Sequence, residues 1–256
     1  METKSAIVAG VHAVYTWRSG RGIPIICLHG WADSAQGFTP LLQALQTKRP
    51  IYCLNLPGFG GSQAPPHPWG VTDYAHFVSE FMQKMQLNSA VLMGHSNGGA
   101  IAVKVAAEQP ALVDRLILIA SAGIRSTADQ RLHRQAFKWL AKTGRVVSRP
   151  LGQHMQSRLK RQLYKKAGSD YLLVPHMHET FKKVVGEDVR QAAQSCVCPA
   201  LLIWGDQDTA TPLFMAQAYA ELMPQSHLEI IEGATHFVHQ EAAPQVARVV
   251  EGFLES

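Results

Sequence analysis

Hydrophobic positions along the chain follow two rhythms. Ile23 to Leu28 is a continuous apolar run, and further short, mainly apolar stretches read as strands at Ile51 to Leu56, Ser89 to Met93, Leu116 to Ala120, Cys198 to Trp204 and Leu228 to Ile231. Runs that are apolar at every position predict strands buried on both faces, as in the middle of a parallel sheet. Between them the apolar residues take helical spacing. Helices are predicted at Phe38 to Leu45, from a cap at Thr72 to about Met85, and at Gly98 to Glu108, before Pro110. Two more are predicted at Pro212 to Leu222 and Pro244 to Leu254, each with proline in its first turn. Ala6 to Trp17 reads as a hairpin turning at Gly10.

This alternation predicts an α/β fold: a mostly parallel, doubly wound sheet with helices on both faces. One region departs from it. From about Arg125 to Val197 no strong strand pattern occurs, but helical spacing does, at Leu132, Phe137 and Leu140, at Leu159 and Leu163, and at Phe181, Val184 and Val185. We therefore expect a core formed by residues 1–124 and 198–256, with a helical cap inserted at 125–197. Repeats and low-complexity segments are absent from the sequence.

Composition adds little to this picture, except in its charge. At 256 residues, 46% hydrophobic and 17% charged, the chain is long enough for one large core. The net charge of +5 is unevenly spread. Residues 125–185 hold fourteen Lys/Arg and three acids, a net of +11, so the remainder carries −6. Cys27 and Cys53 lie in apolar runs, where free cysteine packs as a small hydrophobe. Cys196 and Cys198 lack a second Cys/His pair at ligand spacing, so thiols are expected there and no metal. Met1 to Trp17 contains no continuous apolar segment, and a soluble, cytoplasmic protein is expected.

The candidate chemistry begins at Gly94-His95-Ser96-Asn97-Gly98-Gly99. A strand, then Gly-x-Ser-x-Gly, then a helix is a nucleophile elbow. The turn is too sharp for bulky neighbours, and it exposes the Ser96 hydroxyl at the carboxyl edge of the sheet, facing a helix N-terminus. A serine hydroxyl needs a base. Of twelve histidines, His236 lies in a loop after the last strand, at the same edge; His239, three residues on, is its nearest rival. The base needs an acceptor to fix its tautomer. Asp206 and Asp208 both follow the strand ending at Trp204, and Asp208 is preferred, with Asp206 left to brace the loop. Oxyanion donors are expected from the backbone N–H groups of Asn97 and Trp31, the latter in the loop after Ile23 to Leu28. No cofactor is called for.

Taken together, His29-Gly30-Trp31, Leu56-Pro57-Gly58-Phe59-Gly60, the Ser96 hexapeptide, Gly205-Asp206-Gln207-Asp208 and Gly233-Ala234-Thr235-His236 resemble the α/β-hydrolase superfamily in content and order. The resemblance implies a Ser96–His236–Asp208 triad beneath a helical cap. Many relatives carry Asp where Asn55 stands, a residue that is usually supportive. Serine as nucleophile disfavours the haloalkane dehalogenase and epoxide hydrolase branches, which attack through a carboxylate.

The implied reaction is hydrolysis of a carboxylic ester through an acyl-enzyme on Ser96. Two stretches, His29-Gly30-Trp31 and Leu56 to Gly60, also resemble the pimeloyl-acyl-carrier-protein methyl ester esterases of biotin synthesis. Leu is common in those enzymes where Asn97 stands. They cleave a methyl ester from an acidic carrier using basic cap residues, which implies a docking role for Arg158, Lys160 and Arg161. Solvated helix faces would account for the same charges. A carbon–carbon bond hydrolase of dienoic ring-cleavage products is the alternative enzyme. A ligand-binding protein on the same fold is the non-enzymatic one. Without a binding motif or interleaved aromatics, the basic region predicts neither nucleic-acid nor membrane binding.

Overall fold

A computed structural model of the chain describes residues 1–125 and 174–255. Its elements are strands β1 (Glu2–Val8), β2 (Val11–Arg18) and β3 (Ile25–Leu28), helix α1 (Thr39–Ala44), β4 (Ile51–Leu54), α2 (Val71–Lys84), β5 (Ala90–His95), α3 (Asn97–Glu108) and β6 (Val113–Ile119). Beyond the undescribed segment come α4 (His178–Gly186), α5 (Arg190–Ser195), β7 (Ala200–Gly205), α6 (Leu213–Leu222), β8 (Ser226–Ile231), α7 (Val238–Glu241) and α8 (Ala243–Glu255). The strands form one eight-stranded sheet in the order β1-β2-β4-β3-β5-β6-β7-β8. β2 is antiparallel to both of its neighbours, β1 and β4, and every pairing from β4 onward to β8 is parallel.

The burial pattern explains why these segments are strands. Every residue of β3, β5 and β7 is buried, so each of these strands is apolar on both sides. One face carries Ile25, Cys27, Ile51, Cys53, Val91, Met93, Ile117, Ile119, Leu201 and Ile203. It packs against α1 and α8, whose Leu41, Leu42, Val246, Val250 and Leu254 join the same core. Burying each such Leu or Val is worth roughly 1.5–3 kcal/mol. On the other face α3 packs against β3, β5 and β6, with α2 and α5 beside it. All four cysteines are free, Cys27, Cys53 and Cys196 being buried.

The hairpin turns at Ala9-Gly10, both with positive φ (47° and 78°), the conformation favoured by a two-residue turn between twisted strands. Helix α2 begins two residues earlier than expected. Its cap is Gly70, and Thr72 lies inside the first turn. Two carboxylates supply what Thr72 does not: Gly70 N–H donates to Asp73 Oδ2 (2.7 Å) and Val71 N–H to Glu187 Oε1 (3.0 Å). Negative charge at a helix N-terminus is favourable, and these bonds satisfy donors that the helix itself leaves open.

The chain divides into two compact units, residues 1–124 with 179–256, and residues 125–178. Most of the insertion expected at 125–197 lies outside the described residues, including Arg158, Lys160 and Arg161. Helices α4 and α5, at its C-terminal end, group almost entirely with the first unit. Among the described residues, no helix is long and apolar enough to cross a membrane.

The sheet order positions the site. After β4 the chain returns past β3 to form β5, so consecutive strands lie on opposite sides of β3. Open parallel sheets bind ligands at the carboxyl ends of the strands where the winding reverses in this way. Leu28 pairs with Gly94 at that edge. Close approach there requires missing side chains: a Cβ on Gly98 would collide with the Leu28 carbonyl, and one on Gly205 with the Ala234 carbonyl. Replacing Gly98 by Ala is expected to cost about 1–3 kcal/mol, a fall in Tm on the order of 5 °C. Replacing Gly252 by Ala in α8, where a Cβ meets nothing within 4 Å, should leave Tm unchanged or raise it. Thermal melts of the two variants side by side check this; equal shifts would contradict the packing argument.

Candidate active site

Ser96 stands between the last residue of β5 and the first residue of α3, with φ 52° and ψ −116°. An L-residue rarely adopts positive φ, and such strain persists only where the surroundings impose it. Here they do. Ser96 N–H donates to the Ile119 carbonyl (3.0 Å), and the Ser96 carbonyl accepts from Gly99 (3.0 Å) and Ala122 (3.0 Å). The end of β6 and the first turn of α3 thus hold the turn from both sides. The N-terminus of α3 lies immediately after Ser96, and its dipole favours negative charge there.

Asp208 and His236 reach the same edge from the loops after β7 and β8. Asp208 is buried at 5% exposure, and its carboxylate is fully occupied. Oδ1 accepts from the N–H groups of Ala210 and Thr211, both at 2.8 Å. Oδ2 accepts from the Thr211 hydroxyl (2.6 Å) and from His236 Nδ1–H (2.9 Å). Burial pushes this carboxyl up, but the hydrogen bonds from His236 and Thr211 outweigh it and hold the group below its ordinary value. The side chain is therefore an anion at neutral pH. With the His236 proton engaged at Nδ1, the Nε2 lone pair remains available as a base.

Asp206 braces the loop, as expected, accepting from Gly233 N–H (2.7 Å). Gln207 N–H bonds the Ala234 carbonyl (3.0 Å), which ties the aspartate loop to the histidine loop. The sequence reading missed Thr211. Its hydroxyl lies 3.1 Å from the Ala120 carbonyl and 3.2 Å from His236 Nδ1, and its carbonyl accepts from Trp204 Nε1–H (2.8 Å). The available signal was its place three residues after an aspartate, the spacing at which an Asx side chain captures backbone N–H groups.

The loop after β3 lies against the elbow. A Cβ added to Gly30 would stand 3.2 Å from Ser96 Cβ, a tight contact, so a glycine lets this backbone lie close to the serine. Trp31 follows Gly30 and Asn97 follows Ser96, so both expected donor positions are next in the chain to this contact. His29, fully buried, holds this loop in place. Its Nε2 accepts from Leu56 N–H (3.0 Å), which leaves the proton on Nδ1, donated to the Gly30 carbonyl (2.7 Å). Burial lowers its pKa and keeps it neutral. Asn55 uses both ends of its amide, accepting from Ala35 N–H (2.7 Å) and donating to the Gly60 carbonyl (2.9 Å). A carboxylate could not make the second bond. Phe59 and Phe181 pack around the Trp31 ring at 4.9 and 5.1 Å, giving the loop an aromatic wall.

A family model described as alpha/beta hydrolase fold matches residues 23–243, and the chain belongs to that family. This makes it a hydrolase of the α/β-hydrolase type. It is 26% identical to an uncharacterized hydrolase, YugF, of Bacillus subtilis, over 97% of this chain and 96% of the relative. It is 27% identical to the serine hydrolase BPHL of Mus musculus, over 97% of this chain and 84% of that protein. Among solved structures, the meta-cleavage product hydrolase of Pseudomonas fluorescens IP01 superposes with a TM-score of 0.73 at 20% identity, covering 98% of this chain and 97% of that one. That likeness is one of fold.

His239 does not compete for the role of base. It lies in α7, fully buried, and both of its ring nitrogens lack a hydrogen-bond partner. Burial foremost, and then the nearby His236, push its pKa down to about 4, against a partial upward pull from Glu241. An unfolded histidine titrates near 6.5, so between about pH 6.5 and 4 the unfolded chain binds a proton that the folded chain refuses. Stability should therefore fall as pH falls through that window. Replacing His239 by Leu is expected to flatten the dependence of Tm on pH between 6.5 and 4 and to leave Tm at pH 7.5 equal or higher. Parallel pH–Tm curves for the two proteins would contradict this.

Proposed function

We propose that the protein is a serine hydrolase that cleaves carboxylic esters through an acyl-enzyme on Ser96. The observation that carries the reading is the 2.9 Å bond from His236 Nδ1 to a buried, fully hydrogen-bonded Asp208 carboxylate, at the sheet edge where Ser96 is held at positive φ. In this reading Ser96 Oγ attacks the ester carbonyl carbon while His236 Nε2 takes its proton. The carbonyl oxygen becomes an oxyanion, received by the N–H groups of Trp31 and Asn97. When the carbon–oxygen bond to the alcohol breaks, the imidazolium returns the proton to the leaving oxygen. Water, deprotonated by His236, then attacks the acyl-enzyme, and the acid departs as the serine is regenerated. Asp208 stays ionised throughout and stabilises the imidazolium.

The substrate class rests on less. The aromatic wall of Trp31, Phe59 and Phe181 suits an apolar acyl chain. The net charge of +11 over residues 125–185 suits an acidic carrier, consistent with a carrier-linked methyl ester and with docking at Arg158, Lys160 and Arg161. A dienoic carbon–carbon substrate would use the same three side chains.

Three arms of one experiment test the proposal. Replacing Ser96 by Ala is expected to lower kcat on an activated ester at least about 10,000-fold without loss of fold, and to abolish labelling by a fluorophosphonate. Retained turnover would refute the nucleophile. Replacing Asp208 by Asn should lower kcat roughly 1,000- to 10,000-fold, by stabilising the wrong tautomer of His236. On the wild-type protein, a panel of free methyl esters, a methyl ester on an acyl carrier protein and a vinylogous diketone separates the substrate classes; turnover of the diketone alone would replace ester cleavage by carbon–carbon cleavage.

A further inference from the structure

His95 precedes Ser96 and ends β5, and it is buried at 2% exposure. The reaction scheme gives it no part. Its Nε2 lies 3.0 Å from the backbone carbonyl of His236. A carbonyl can only accept, so Nε2 carries the proton and donates it. Its Nδ1 is buried without a partner, and it faces Gly30 so closely that a Cβ there would stand 3.0 Å away. Only a neutral ring with its proton on Nε2 suits this position, since a second N–H would be buried without an acceptor. Burial, with His239 and His236 close by, lowers the His95 pKa well below the ordinary range, in the same sense.

The ring is also packed on both sides. Its centroid lies 4.8 Å from that of His236, 4.3 Å from that of His239 and 5.6 Å from that of Phe237. His239 in turn rests on Phe38 at 5.3 Å. The His95 imidazole is therefore a rigid spacer with one directed hydrogen bond. It joins the residue before Ser96 to the backbone of His236.

We propose that His95 is a positioning residue, which holds the His236 backbone at a fixed distance from the Ser96 turn through its Nε2–H bond to the His236 carbonyl. The proposal rests on Ser96 and His236 being nucleophile and base. Asp208 fixes the orientation of the His236 ring from its Nδ1 side, and His95 fixes the main chain that carries the ring. A misplacement of about 1 Å at such a contact can cost on the order of 100-fold in rate. The loss should fall on kcat, because the ring contacts of His95 are to His236, Phe237 and His239 and not to Trp31, Phe59 or Phe181, where an acyl chain would lie.

The experiment compares His95→Phe, which keeps a ring but donates nothing, with His95→Gln, whose amide N–H reaches about as far as Nε2. On an activated ester, His95→Phe is expected to lower kcat by about 10- to 100-fold, with KM within about threefold of wild type. His95→Gln is expected to recover most of that loss. Restored packing without the hydrogen bond would not produce this difference, so equal impairment of the two, or full activity of a folded His95→Phe, would overturn the proposal. If His95→Phe does not fold, His95→Asn takes its place, because its amide is too short to reach the His236 carbonyl; it must then fall below His95→Gln in kcat, and equality would overturn the proposal. Ser96→Ala is run alongside. Activity surviving in Ser96→Ala would mean that the nucleophile assignment had failed, whereas an inactive Ser96→Ala beside a fully active His95→Phe would reject only the role of His95.

Discussion

The site depends on a carboxylate that has no capacity left to bond to water. Asp208 is buried and accepts from two backbone N–H groups, one hydroxyl and one imidazole. An unpaired carboxylate at that depth would be costly, and a protonated one could not orient its neighbour. Four donors remove both alternatives. The same bonds shape the loop from Asp206 to Thr211 and thereby decide where His236 comes to rest. The folding of this loop and the direction of the imidazole are one constraint.

The sheet brings that constraint to the serine. β7 and β8 deliver Asp208 and His236 to the carboxyl edge, while the reversal of winding around β3 delivers Ser96 and the loop carrying Trp31. Two junctions are closed by contacts that exclude a side chain, Gly98 against Leu28 and Gly205 against Ala234, and a third, Gly30 against Ser96, leaves little room for one. The glycines do not merely permit turns. They set how near one loop stands to the next, and the proposed proton relay would tolerate little slack in that spacing.

Much of this was legible in the sequence. Short, mainly apolar stretches located β3 to β8 to within a few residues, most sharply β3, β5 and β7, where every residue is buried. The Ser96 hexapeptide, Asp208 and His236 could be ordered along one edge because each follows such a run. What remained hidden depends on partners distant in the chain. Val71 is capped by Glu187, 116 residues away, so local spacing pointed to Thr72 instead. Thr211 has an ordinary surface composition around it, and only its bonds to Asp208 and Ala120 give it a role. His95 looked like a neighbour of the serine, and its bond to the His236 carbonyl spans 141 residues. The basic stretch from Arg125 onward shows its charge in the sequence, but charge alone does not choose between solvent and a partner.

The claim on which the rest stands is that His236 is held as a neutral imidazole with its proton on Nδ1, directed at Asp208, and its Nε2 free to accept. Nitrogen-15 NMR of histidine-labelled protein at neutral pH reads this directly. The account predicts a protonated Nδ1 with a strongly downfield proton, and an unprotonated Nε2, both altered when Asp208 is replaced. A His236 resonance protonated on Nε2 instead, and indifferent to the residue at 208, would contradict it.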